Sequence, residues 1–267
     1  MTTNSSSILL QSPHATITES HGFHTVHIRD AGPLNILNSA VISDLVEAVL
    51  WLGGQEQANV VVLRGDGDKA FIAGADVSEM ATLDSQQARI FISGLARLCD
   101  ALQNSPFATV ARIPGWCLGG GMEVAMSCDM RLCSSSAMFG MPEVRVGMPS
   151  VIHAALLPRL IGKSRADWML LSGDNIDARK AYEWGLVHEL VETPDLLDDA
   201  ILRLCRSMST IDREVIRRQK KLMRGWEEQS LRDSVASSIE EFADFFSTGA
   251  SQKSLETFLA DLRRTKS

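Results

Sequence analysis

Two glutamates twenty residues apart, Glu123 and Glu143, stand in surroundings suited to acid–base work. Glu143 ends Phe139-Gly140-Met141-Pro142-Glu143, a stretch read as loop and flanked by apolar side chains. A carboxyl group placed there tends toward a raised pKa and a proton-carrying role, an ordinary loop ion pair being the plainer use. Glu123 falls in the first turn of a helix that Gly119-Gly120-Gly121 would open, where the macrodipole favours a carboxylate and a structural cap is the plainer use. Glycines at a helix entrance let the backbone approach a ligand, and first-turn N–H groups lack intrahelical partners, so an anion or developing oxyanion is met by fixed dipoles. Simple close packing would need the same residues. The triplet is not a dinucleotide fingerprint, since Val124 occupies the final glycine position, and no Gly-Lys-Ser/Thr follows to make a phosphate loop.

A second small-residue bend, Ala70-Phe71-Ile72-Ala73-Gly74-Ala75-Asp76, follows a strand and can present a backbone N–H to a ligand, with Asp76 able to cap the next helix. Ser150 and His153 invite a hydrolytic triad, yet no G-x-S-x-G elbow is present and Ser150 can simply cap a helix that His153 begins. Five cysteines at irregular spacings, without C-x-x-C, suggest buried thiols rather than disulfides or a zinc site.

The elements that must position these residues follow from period and punctuation. Residues 15–18 and 23–28 alternate about His21-Gly22 as a hairpin. Asn38 caps a helix whose Val41, Ile42, Leu45, Val46, Val49 and Leu50 recur at helical spacing up to Gly53-Gly54. Asn59–Leu63 reads as a buried strand, 84–103 as a long helix, Phe107–Ile113 and Asp129–Cys133 as further strands, and Ile152–Leu160 as a short helix. Phe139–Pro149 reads as loop, and Ser164-Arg165-Ala166-Asp167 as a variant of the capping box. From Asp195 only helices are expected, with breaks near Thr210, Gly225 and Gly249, and apolar residues persist there: Leu231, Val235, Ile239, Phe242, Phe245, Phe246, Leu255, Phe258, Leu259 and Leu262. Such a surface is covered within the chain or by other subunits.

The 267 residues, 45% hydrophobic and 22% charged, describe a globular chain able to bury a core, either one large α/β domain or a body with a smaller terminal domain. A formal charge of −7 and the absence of a long basic run argue against nucleic acid. The densest basic patch, Arg213–Arg224, reads as a solvated helix face. The opening MTTNSSSILLQ has no charged leader pattern and no run of 18 apolar residues occurs, so a cytoplasmic protein without a membrane span is expected.

Taken together, Ala70-Phe71-Ile72-Ala73-Gly74-Ala75-Asp76-Val77-Ser78-Glu79-Met80, Leu118-Gly119-Gly120-Gly121-Met122-Glu123, Cys128-Asp129 and Phe139-Gly140-Met141-Pro142-Glu143 resemble the enoyl-CoA hydratase/isomerase (crotonase) family in order and spacing. The likeness is densest over 60–163 and weakens in the helical tail. It implies an α/β fold, a crotonase-like spiral of ββα units (1–193) followed by a C-terminal helical oligomerisation region (194–267), assembled as a homotrimer or homohexamer. It also implies an acyl-CoA substrate, coenzyme A entering as part of that substrate, with no metal or redox cofactor. By resemblance, the N–H groups of Ala73 and Gly120 form an oxyanion hole, Gly74, Ala75, Asp76, Gly119 and Ser150 line the substrate, and Glu123 and Glu143 are catalytic.

The resemblance further implies hydration of a 2-enoyl thioester, Glu123 deprotonating the water and Glu143 delivering a proton to C2. Isomerisation, decarboxylation or hydrolysis on the same site, and a non-catalytic acyl-CoA-binding scaffold, are the alternatives. One departure is plain: the family's hydratases commonly carry Pro-Gly-x-Gly-Gly after the second glutamate, whereas this chain reads Gly147-Met148-Pro149-Ser150-Val151-Ile152-His153. Ser150 replaces a glycine that would approach the catalytic water, and His153 brings a titratable group nearby.

Overall fold

In a computed structural model, which describes residues 7–249 together with 252, 255, 256, 258, 259 and 263, an edge strand β1 (Ser7–Gln11) precedes the expected hairpin of β2 (Ala15–Ser20) and β3 (Phe23–Ile28). His21 and Gly22 both take positive φ, 55° and 80°, as a two-residue hairpin turn requires. Helix α1 (Ser39–Gly53) begins where Asn38 accepts the Val41 N–H at 2.8 Å.

From there the chain repeats a pattern of strand, strand and helix. The first turn is β4 (Val60–Arg64), β5 (Ala70–Ile72), α2 (Val77–Met80) and α3 (Ser85–Gln103); the second is β6 (Ala108–Ile113), β7 (Trp116–Leu118) and α4 (Gly120–Ser127). The third runs through β8 (Met130–Ser134) and β9 (Met138–Gly140) into 3-10 turns at Pro142–Val146 and Ile152–Leu156, then α5 (Leu157–Ile161) and α6 (Lys163–Ser172). The chain continues with β10 (Ile176–Asp177), α7 (Ala178–Glu183), β11 (Glu189–Val191) and α8 (Pro194–Ser209). The first strands of each turn, β4, β6 and β8, pair in parallel within a seven-stranded sheet of order β1-β2-β3-β4-β6-β8-β11. The second strands, β5, β7 and β9, pair in parallel within a smaller sheet of order β10-β9-β7-β5. This is the spiral of ββα units that the resemblance implies.

The main core lies where α1, α3 and α4 meet the sheets, built on side chains such as Leu45, Leu63, Phe71, Leu95, Phe107 and Phe139. A second core forms where α8 lays Leu197, Ala200, Ile201 and Cys205 against Phe23, Val60, Val62, Val110 and Leu132. With α8 sealing that face, the chain forms two compact units, Met1–Arg213 and Glu214–Ser267, α8 belonging to the first. All five cysteines are buried thiols, none in a disulfide, and burial pushes Cys133 and Cys205 up to about 12, so neither is a thiolate at neutral pH.

Within the second unit, α9 (Arg213–Glu228) runs on through Gly225, and α10 (Leu231–Ser247) follows. An isolated glycine costs a helix only about 1 kcal/mol. The basic run is a helix face, as expected, and Arg218 bonds Glu214, Glu241 and Asp244, each at 2.7 Å. Leu231, Val235, Ile239 and Phe242 are exposed on α10, while Leu262 lies outside the described residues. The expected Ser164 cap is not formed: α6 begins two residues earlier, after Gly162 at φ 80°, and Lys163 pairs with Asp167 at 2.6 Å.

His27, Arg64 and Arg112 stand side by side across β3, β4 and β6. Burial first, and then the Arg64 charge, push His27 down to about 4, so it is neutral here. Arg112, 2% exposed, reaches α8 through Nε to Asp198 Oδ1 at 2.5 Å and Nη2 to Oδ2 at 2.9 Å, with Asp68 at 2.8 Å. Asp198→Ala therefore leaves a buried guanidinium with Asp68 as its one carboxylate partner, and urea unfolding is expected to register a loss of about 2–3 kcal/mol, Arg112→Met costing less.

Candidate active site

The site is assembled from the loop before α1, the bend after β5, the first turn of α4 and the irregular segment after β9. Asn35 is buried at φ 53°; its amide donates to Ala70 O at 3.0 Å and Asp66 O at 3.2 Å and accepts from Asp66 N–H at 3.1 Å, tying the first two together. A short ladder continues that tie. Ala73 N–H donates to Leu34 O at 3.0 Å, Leu37 N–H to Gly74 O at 3.0 Å, and Asp76 N–H to Leu37 O at 2.9 Å.

This ladder corrects one expectation. The Ala73 N–H is spent on Leu34 and is not available to a ligand oxygen. Along extended backbone successive N–H groups point to opposite sides, so with Asp76 turned to Leu37 the Ala75 N–H turns the other way. Ala75 N lies 3.9 Å from where a Cβ on Gly120 would stand, and no hydrogen bond from it is seen among the described residues. The Ala75 N–H thus lies beside the helix entrance at Gly120. Asp76 caps α2 as read from the sequence, its carboxylate accepting Ser78 N–H at 2.8 Å and Glu79 N–H at 3.2 Å. Gly74, at φ 116°, supplies the bend and the carbonyl that Leu37 uses.

Helix α4 is wholly buried. Its entrance residue Gly119 adopts φ 51° and ψ −122°, and at Gly121 a Cβ would stand 2.1 Å from Ile72 O, so neither position tolerates a side chain. At its far end Arg131 donates to the carbonyls of Cys128 at 2.6 Å and Ala125 at 3.3 Å, placing a cation where the helix ends.

One turn in, Glu123 is 3% exposed, with Oε1 accepting Ala154 N–H at 2.9 Å. Burial foremost, with the Glu143 charge adding, pushes its carboxyl group up to about 8, against the opposing pull of the Ala154 N–H. Glu143 is half-buried; its Oε2 accepts Ser150 Oγ–H at 2.7 Å, and its Oε1 lies 2.7 Å from the Cβ position of Gly119. A raised value favours the protonated form of Glu123.

Both carboxyl groups face one cavity of about 640 Å³ that also touches Ala75 and Gly120 and is walled by Met80, Leu83, Phe91, Ile92, Leu95, Val146, Met148 and Val151. Sequence reasoning missed those α3 wall residues, Arg89 at the rim, and the Ala154 N–H. The period of α3 did contain Phe91 and Leu95, but nothing local marks which apolar side chains face a cavity. His153 turns instead toward α3, its Nε2 3.3 Å from Asp100.

The fold and this arrangement define a class. The chain belongs to the enoyl-CoA hydratase/isomerase (crotonase) family, whose model matches residues 18–264. It is 31% identical over 85% of its length to the short-chain-enoyl-CoA hydratase of Clostridium acetobutylicum, covering 87% of that protein. It is 34% identical to the crotonyl-CoA hydratase of Syntrophomonas wolfei, over 65% of this chain and 67% of that one. Among solved structures it is similar to Pseudomonas aeruginosa DspI, with a TM-score of 0.89, 26% identity and coverage of 95% and 96%. An enoyl-CoA hydratase from Bacillus anthracis gives 0.85 at 25% identity, covering 96% of each chain.

Glu123 makes stability depend on pH. Its folded value, about 8, lies above the ordinary 4.5, so the folded state binds more protons and loses stability as pH rises through that window. Glu123→Gln cannot ionise, and thermal melts are expected to show it gaining on the wild type between pH 5 and pH 8, by roughly 3–4 kcal/mol.

Proposed function

We propose that this protein adds water across the C2=C3 double bond of a 2-enoyl-CoA thioester to give a 3-hydroxyacyl-CoA. The observation that carries this reading is the convergence on one largely apolar cavity of Glu123, Glu143 and the backbone of Ala75 and Gly120. Addition of water needs an acid and a base at once. A carboxyl pair holding one proton supplies both.

In this reading the thioester oxygen accepts from the Ala75 and Gly120 N–H groups, and charge that develops on the enolate oxygen meets dipoles already in place. One such donor is worth about 3 kcal/mol of barrier. The water sits between the two carboxyl groups and delivers its oxygen to C3. One carboxyl group takes a proton from it while the other gives one to C2, so the pair ends with the single proton it began with. Burial raises Glu123, which favours it as the giver. The acyl chain runs along the apolar wall from α3, and the names of the hydratases to which the chain is similar support the same chemistry. The exposed apolar residues of α10 suit the C-terminal unit to homotrimer or homohexamer assembly.

The test is the ultraviolet absorbance of crotonyl-CoA and a longer 2-enoyl-CoA with purified protein. Loss of the conjugated thioester with 3-hydroxyacyl-CoA as product is expected. Glu123→Gln and Glu143→Gln should each lower kcat by roughly 10²–10⁴, the double variant losing little more. With Glu123 near 8, kcat/KM should fall as pH rises past that value. A double-bond shift or release of free coenzyme A, without hydration, would move the reading to isomerase or hydrolase.

A further inference from the structure

Glu143 is held from two sides. Its Oε2 accepts the Ser150 hydroxyl at 2.7 Å, and its Oε1 packs over Gly119, 2.7 Å from where a Cβ would be. The loop that makes this possible is closed by Met148 N–H donating to the Glu143 carbonyl at 3.0 Å, with Gly147 at φ 80° making the turn. Four residues beyond Ser150, Ala154 N–H donates to Glu123 Oε1 at 2.9 Å. The five residues 150–154 thus hold one oxygen of each carboxyl group.

That segment is bent to do so. Ile152, a β-branched residue, sits at φ 41°, a conformation that persists only where surrounding contacts over-determine it. The strained backbone lies between the two donors. Met148, Pro149 and Val151 line the cavity while Ser150 is not among its lining residues, so the hydroxyl reaches the reaction through Glu143 and not through the substrate.

We infer that Ser150 is a positioning residue: its hydroxyl fixes the Glu143 carboxyl group so that Oε1, above Gly119, is the oxygen presented to the reacting water. The inference rests on the hydration proposed above for the role of that water. By the family resemblance a glycine is common at this position, so this chain holds its second glutamate with a side chain of its own.

Ser150→Ala and Ser150→Thr, each compared with wild type by hydration kinetics, thermal melting and crystallography, test this. For Ser150→Ala, kcat is expected to fall roughly ten- to a hundred-fold, with KM changed by less than about two-fold and the melting temperature unmoved. Ser150→Thr, which keeps the hydroxyl, should recover most of kcat. Crystal structures should show Glu143 in one rotamer in the wild type and the Thr variant and spread over several in the Ala variant. A rise in KM alone would make Ser150 a substrate contact and overturn the inference, as would an unmoved Glu143 with unchanged kcat. An acyl adduct on Ser150 by mass spectrometry would overturn it by making the residue a nucleophile. If the wild type hydrates no enoyl thioester, the functional reading fails, while the Glu143 rotamers still decide for or against the role of Ser150.

Discussion

The first turn of α4 passes the end of β5 so closely that a Cβ on Gly121 would stand 2.1 Å from the Ile72 carbonyl oxygen. Two successive turns of the spiral can lie on one another at that distance only because the residue between them has no side chain. The contact brings the unpartnered N–H groups of a helix entrance beside the Ala75 N–H, and it carries Glu123 into the interior one turn later. Arg131 then satisfies carbonyls where the helix ends, so α4 is buried along its length with a cation at its negative end and its positive end open to the cavity. The proximity of these N–H groups is therefore a property of how two elements cross, and no side chain has to be oriented to make it.

The carboxyl groups are governed by a different balance. A helix N-terminus favours a carboxylate by about 1 kcal/mol, yet raising Glu123 from 4.5 to about 8 corresponds to roughly 5 kcal/mol against the charged form. Desolvation wins because the first turn of α4 lies inside the protein, where water cannot assist the dipole. Glu143, half-buried with a hydroxyl on one oxygen, shares the cavity but not that environment. Two identical side chains thus occupy unlike surroundings, which is what a paired acid and base require.

Long elements with a clear period were legible in the sequence. The Asn38 cap and the α1 stripe from Val41 to Val49, the long helix α3, and the apolar runs of β4 and β6 stand as read, while Leu50 of the expected stripe is exposed and Leu52 is buried in its place. The strands β5, β7 and β9, three residues each, were not, since three residues show no period and β9 reads as loop. Without them the smaller sheet was visible only through the family resemblance. The position of α8 was likewise hidden, because an amphipathic helix does not say which body it covers. At the site, both glutamates and the glycine triplet were identifiable by type and context. The choice between Ala73 and Ala75 was not, because it depends on which N–H groups the Leu34–Leu37 loop, some forty residues upstream, consumes.

The parts of the site therefore differ in how they are encoded. The amide donors belong to the crossing of β5 and α4, where a change at Gly121 meets backbone and disturbs the spiral itself. The orientation of the carboxyl groups belongs to the segment from Glu143 to Ala154, made of 3-10 turns, a left-handed glycine and a strained isoleucine. Irregular backbone of this kind can vary without altering the scaffold that presents it. A chain with Ser150, Ile152 and His153 in that segment keeps the crossing and holds its two carboxyl groups through contacts of its own. Differences of reaction or substrate among proteins of this fold are then to be sought first in that segment, and only second in the apolar wall that α3 supplies.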